Sequence, residues 1–159
     1  MEYFLEILIP MSDFYKTDIT EILVEWGGEV FSQEPQKYKF KSMVLLKSDD
    51  ASTYYQKELG DKLNLSEYIV LHVDFECLQN LESIVNNVND DYEDKINSNE
   101  LIQLFYHLYK NLDSFCIVNN IADELIDDIY IISNACEAIS IFLNSIKWTV
   151  QRSIAIIKK

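Results

Sequence analysis

Residues 68–75 read Tyr68-Ile69-Val70-Leu71-His72-Val73-Asp74-Phe75, the clearest strand in the chain. Ile69, Leu71, Val73 and Phe75 point to one side of an extended backbone and Tyr68, Val70, His72 and Asp74 to the other, the period of two that a β-strand requires. Working outward towards the N-terminus, Ser48-Asp49-Asp50 supplies capping side chains for a helix running to about Leu63, with Gly60 weakening its last turn. Before it, residues 38–47 read as a long strand, reached through Pro35 from a short strand at 29–32. Gly27-Gly28 closes a preceding helix, whose apolar positions Ile19, Ile22, Leu23 and Trp26 recur at helical spacing behind a Ser12 or Asp13 cap. Residues 3–9 are apolar and β-rich, and Pro10 stops them as a first strand.

The resulting order, β-α-β-β-α-β, resembles the split βαβ, or ferredoxin-like, sandwich. The fold expected is therefore α+β, with residues 1–75 as an α/β sandwich half packed against an α-helical half at 76–159 in one compact unit. Such a fold implies no activity by itself, because it hosts many unrelated ones. In the second half, Leu78, Leu81, Val85 and Val88 make one apolar stripe, and Ser98 or Asn99 caps a helix with Leu101, Phe105, Leu108 and Leu112 on one face. Helical patterns continue over 121–132 and from Asn134 onward. Residues 148–157 are β-branched enough for a strand, but Val150, Ile154 and Ile157 fit a helix, and a helix is expected there.

Charge restricts function more than any motif does. The chain carries 27 acidic and 13 basic residues, a net −14 over 159 residues, divided equally between 1–75 and 76–159. Such a field repels nucleic-acid phosphates and anionic membranes and attracts basic surfaces. The only acid-free cationic stretch follows Glu137, where Lys147, Arg152, Lys158 and Lys159 stand. A hydrophobic fraction of 48% excludes charge-driven disorder. Cys77, Cys116 and Cys136 form no CxxC pair and are odd in number, which argues against a disulfide framework. The N-terminus is acidic where a secretory signal is basic. The most apolar stretch, 129–146, is interrupted by Ser133, Asn134, Glu137, Ser140 and Asn144, unlike a membrane span. A soluble, reduced, cytoplasmic protein is expected.

Two constellations stand out. His72 and Asp74 share a strand face, and the expected sandwich brings Glu6 beside them, with Lys39 and Lys41 on the adjoining strand. A histidine with two carboxylates fits a general base or a weak metal site, and two lysines beside it fit a phosphate-bearing ligand. A satisfied polar cluster under the C-terminal helices accounts for the same residues, since nothing supplies a nucleophile. The second constellation is acidic: Asp90, Asp91, Glu93 and Asp94 around Tyr92, and Asp123, Glu124, Asp127 and Asp128 further on. The first run lacks the spacing, glycine and terminal glutamate of a calcium loop. In the second, 123/127 and 124/128 are i,i+4 pairs of like charge, which repel on a helix. Both runs suit a solvated face or a basic partner. Tyr92, within its acidic loop, is expected to be exposed and to suit an arginine-rich groove.

The leading expectation is a non-enzymatic inhibitor whose carboxylates occupy a basic, nucleic-acid-binding groove of a partner protein such as a nuclease or other effector, with no cofactor and no metal. In overall character (small, acidic, motif-poor, mixed α/β) the chain resembles bacterial immunity proteins against toxic nucleases and phage proteins that block CRISPR effectors. The alternative is a small-ligand binder or enzyme on the sheet face of His72, Asp74, Glu6, Lys39 and Lys41. A third is a subunit whose acid-free C-terminal segment docks onto a copy of itself or a host complex.

Overall fold

The computed structural model describes residues 3–16, 19–33, 36–48, 55–121 and 125–159. β1 (Tyr3–Pro10) is apolar on both faces, and it lies at the centre of one mixed sheet with β5 (Tyr68–Val73) on one side and β6 (Phe115–Ile121) on the other. Beyond β5 come β4 (Val44–Ser48), β3 (Gln36–Lys39) and the edge strand β2 (Glu29–Gln33). Beyond β6 come β8 (Ile154–Lys158) and the edge strand β7 (Asp128–Ile131). The order is β2-β3-β4-β5-β1-β6-β8-β7, antiparallel throughout except for β7 with β8. That parallel pair needs a crossover, and a helix between the two strands provides it.

The helices are α1 (Met11–Lys16), α2 (Ile19–Glu25), α3 (Gln56–Leu59), α4 (Phe75–Asn86), α5 (Tyr92–Ser98), α6 (Glu100–Asn111) and α7 (Ala135–Ser145), with a 3₁₀ turn at Leu65–Glu67. α4, α6 and α7 start where side chains accept orphan backbone N–H groups. Asp74 accepts from Cys77, Asn99 from Leu101 and Ile102, and Asn134 from Glu137. Their apolar stripes (Leu78, Leu81 and Val85; Leu101, Phe105 and Leu108; Ala138 and Phe142) bury one sheet face, that of Leu5, Ile7, Ile9, Ile69, Leu71, Phe115, Ile117 and Ile156. Edge-to-face rings, Phe105 on Phe142 at 5.1 Å and Tyr109 on Phe115 at 4.9 Å, join α6 to α7 and to the sheet. The opposite face holds a second, smaller apolar cluster. There Tyr55, Leu59, Leu63 and Leu65 pack on Leu8, Val70, Cys116, Val118 and Ile157.

The mixed α+β class is as expected; the ferredoxin-like arrangement is not what forms. Residues 38–47 are two strands, because the chain reverses at 40–43 through a Phe40 N–H to Met43 C=O bond. The β2-β3-β4 meander runs on into β5, so no strand of residues 38–48 lies beside β1, and among the described residues of the first half none pairs parallel with it as a βαβ crossover requires. The helix expected from Ser48 to Leu63 is, within the described residues, only the single turn of α3. The half expected to be helical contributes β6, β7 and β8. Residues 121–132 and 148–157, read as helices, hold strands at Asp128–Ile131 and from Ile154. The run Ile154–Ile157 is buried on both faces and has no period, so length and branching alone separate strand from helix there. The stripe of α4 ends at Val85, so Val88 lies outside the helix and is 67% exposed.

Candidate functional site

Glu6 and His72 are directly opposite one another on β1 and β5. Alternation places both on the sheet face of the smaller cluster, and there Glu6 is almost wholly buried. Its Oε1 accepts a hydrogen bond from the Tyr55 hydroxyl at 2.7 Å, and its Oε2 lies 3.6 Å from His72 Nδ1. Tyr55, itself buried, precedes α3, so one carboxylate links the α3 segment to the central strands. A buried carboxylate needs such partners, because desolvation without them is costly.

The rest of the expected ligand set is distributed elsewhere. Asp74 is consumed by the backbone: Oδ2 accepts from Cys77 N at 3.0 Å and Oδ1 from Val44 N at 2.6 Å, capping α4 and tying it to β4. Lys41 sits in the β3–β4 turn, where its N–H and that of Ser42 donate to the Glu100 carboxylate. Lys39 is exposed and pairs with Val44, one row away from His72. The lysine in the His72 row is Lys37, opposite Leu46, which is in turn opposite His72. Simple alternation about the inward Tyr38 would have found it. Lys37 Nζ lies 5.7 Å from the ring centroid of Phe31, which is 52% exposed on the edge strand. Among the described residues no three His, Cys, Asp or Glu side chains are placed to hold a metal ion.

The two acidic runs behave differently. Asp90 and Asp91 lie in the turn after α4, and Glu93 and Asp94 in the first turn of α5; all four are exposed. Among the described residues the only cation paired with any of them is Lys95, 3.4 Å from Asp91. Carboxylates here also favour the positive end of the short helix. Tyr92, expected to be exposed, is half-buried against the core. In the second run, Asp123 and Glu124 lie outside the described residues. Asp127 and Asp128 are structural: Asp127 Oδ2 accepts from Ser153 N at 3.0 Å, and Arg152 sits on Asp128 Oδ2 as an ion pair lacking hydrogen-bond geometry. Asp128 begins a strand, and the first members of the expected i,i+4 pairs lie outside the described residues.

Sequence pattern missed two buried polar pairs on β6, one on each face of the strand. Asn119 donates to Ser145 Oγ at 3.1 Å, and Ser153 donates to Asn120 Oδ1 at 3.1 Å, all four residues buried. It also missed the Trp26–His107 stack, with ring centroids 4.5 Å apart, where burial and then Lys110 push the imidazole below its usual range. Cys77 is pushed up to about 12 by burial and by the charges of Asp74 and Glu100, and burial raises Cys116 as well. Neither is a nucleophile at neutral pH.

Open clefts of about 410 and 470 Å³ flank residues 60–68, and one of about 320 Å³ lies between Tyr92 and α7. None is lined by Glu6, Tyr55 or His72. No helix among the described residues is long and apolar enough to cross a membrane. No protein-family model, curated protein or solved structure matches this chain.

Proposed function

We propose that this protein is a non-enzymatic, cytoplasmic inhibitor that binds a basic partner protein and occludes its nucleic-acid-binding groove, in the manner of toxin-immunity or anti-CRISPR proteins. One observation carries the reading: Asp90, Asp91, Glu93 and Asp94 are exposed together at the start of α5, and among the described residues only Asp91 has an intramolecular cation. Four carboxylates within five residues, in a chain of net −14, exceed what solubility asks of a small domain, a net charge of about 2–8. Held on a helix packed into the core through Ile96, they present fixed negative charge where a partner would otherwise hold phosphates. Immobilised protein incubated with a lysate of its source cells is expected to retain a basic nucleic-acid-binding protein at low salt and release it as ionic strength rises. The variant Asp90→Lys/Asp91→Lys/Glu93→Lys/Asp94→Lys is expected to slow association several-fold at low salt. An unchanged on-rate removes this surface from the reading.

A second reading keeps the sheet face. The Glu6–Tyr55 bond beside a half-exposed His72, with Lys37 and Lys39 on the same face, fits an anionic small ligand. A His72→Ala variant with full biological activity would remove it.

A further inference from the structure

We propose that the partner docks a basic amphipathic helix onto the end of the molecule where α4 stops and α7 turns towards β8, its apolar side chains on Trp148, Val88 and the Tyr92 cleft and its cations over Asp90–Asp94. This rests on the acidic-surface reading above and adds what that surface binds and through which anchors.

Two of the most exposed large apolar side chains of the protein, Val88 at 67% and Trp148 at 59%, stand at this end. Trp148 is not loose. Its backbone N–H donates to Asn86 Oδ1 at 2.8 Å and its indole Nε1 to Glu82 Oε1 at 3.1 Å. Asn86 is held in turn by the carbonyls of Glu82 and Ile146, at 2.8 and 3.3 Å. The polar edge of the indole is thus satisfied within the protein while its apolar surface faces water. A rigid aromatic already fixed in this way loses little entropy on contact, and tryptophan is the commonest kind of binding anchor.

Beside it runs the cleft of about 320 Å³, floored by Tyr92, Ile141 and Leu143 and continuing to Lys147, the residue before the tryptophan. The four exposed carboxylates of residues 90–94 adjoin Tyr92 in sequence. An apolar centre with a charged rim is the usual anatomy of an interface, and here the rim selects a cationic partner. Lys147 is the one cation in the cleft lining, so the partner's apolar residues belong at that end and its arginines or lysines over the acids. A helix is the fitting occupant. This end of the fold is built from α4, α5, α7 and the turn after it, which offer no unpaired strand edge for an extended peptide to join, whereas a helix needs only a groove and spaced anchors.

Two synthetic peptides test this: one repeating Leu and Arg at amphipathic helical spacing, and one with every Leu replaced by Ser. The protein carries Trp26→Phe, so that Trp148, the other of its two tryptophans, reports alone. The Leu/Arg peptide is expected to shift Trp148 emission to the blue and to bind about tenfold more tightly than the Ser/Arg peptide. Trp148→Ala and Val88→Ser, both at exposed positions and checked by thermal melting, should each erase most of that preference. Equal binding of both peptides with unmoved emission, together with weakening of both by Asp90→Lys/Asp94→Lys, overturns the docking surface and leaves the acidic reading standing. Binding of neither peptide at low salt overturns both.

Discussion

Asp74 shows how one residue type admits two meanings. In a strand beside His72 its carboxylate reads as a general base, yet both oxygens are spent on backbone N–H groups of Val44 and Cys77. Replacing it with Ala orphans both donors, so Asp74→Ala is expected to destabilise the fold by about 1–3 kcal/mol. Urea unfolding measures this, and a change under 0.5 kcal/mol would contradict the capping role. Gly27-Gly28 was legible for a simpler reason: ending α2 needs a positive φ, found at Gly27 (φ 102°), and a close approach, found at Gly28, where a Cβ would meet Leu23 O at 2.9 Å. The thiols follow burial. Cys136 is exposed while Cys77 and Cys116 are not, so a disulfide-exchange reagent at pH 8 is expected to titrate one thiol quickly and the other two only after denaturation. Linkage gives the alkaline limb its sign. The folded Cys77 thiol, raised from 9.0 to about 12, and the Tyr109 phenol, raised from 10.0 to about 12, stay protonated where the unfolded chain ionises. Their contribution is complete below pH 9 and is lost as pH rises from 9 towards 12. A stability flat across that window would refute the raised values.

At the level of elements, what the sequence shows depends on whether an element has a solvent side. α4 and α6 have one, so their stripes and the Asn99 cap were readable. β5 was found in place, Tyr68–Val73 within 68–75, although only His72 breaks its burial. β6 and β8 have none: Phe115 to Asn120 and Ile154 to Ile157 are buried without a break, and a run apolar on all sides carries no period to read. β7 was hidden by its own acids, which look like a charged helix face but hold Ser153 and Arg152. The correction has an energetic consequence. As an added surface helix, the C-terminal segment would be dispensable. As β8 it lies between β6 and β7 and buries Ile154, Ile156 and Ile157 to 2% exposure or less. Three such side chains contribute roughly 5–9 kcal/mol, comparable to the whole stability of a small domain. A chain ending at Ser153 is therefore expected to lose its near-ultraviolet dichroism and cooperative melting. A folded truncated chain would show that β8 is peripheral.

The candidate site was legible at the scale of pairs and illegible at the scale of the sheet. The Glu6–His72 proximity was anticipated from the one pairing of the expected sandwich that does form, the strand of residues 68–73 as the direct antiparallel neighbour of β1, while the rest of that order does not form. The same strand, β1, pairs on its other side with β6, so the boundary drawn at residue 75 cuts through the middle of one sheet rather than between two layers. Of the helices in the core of Leu5, Ile7 and Ile9, α1 and α2 (Phe14, Ile19, Leu23) lie within that boundary, whereas α4, α6 and α7 belong essentially to the part beyond it. A fragment of residues 1–75 would expose one full edge of its most apolar strand together with the sheet face that α4, α6 and α7 bury, leaving a template for aggregation. The complementary fragment would hold β6, β7 and β8 with no β1 to pair. The full chain is accordingly expected to unfold in a single transition, with fluorescence and far-ultraviolet dichroism coincident in urea. Each fragment alone is expected to be unfolded or aggregated, and the two together to recover a native-like spectrum only on mixing. A stable, monomeric 1–75 fragment with its own cooperative melt would show that the first five strands form an independent core, and the continuity of the sheet through β1 would then carry little of the stability assigned to it.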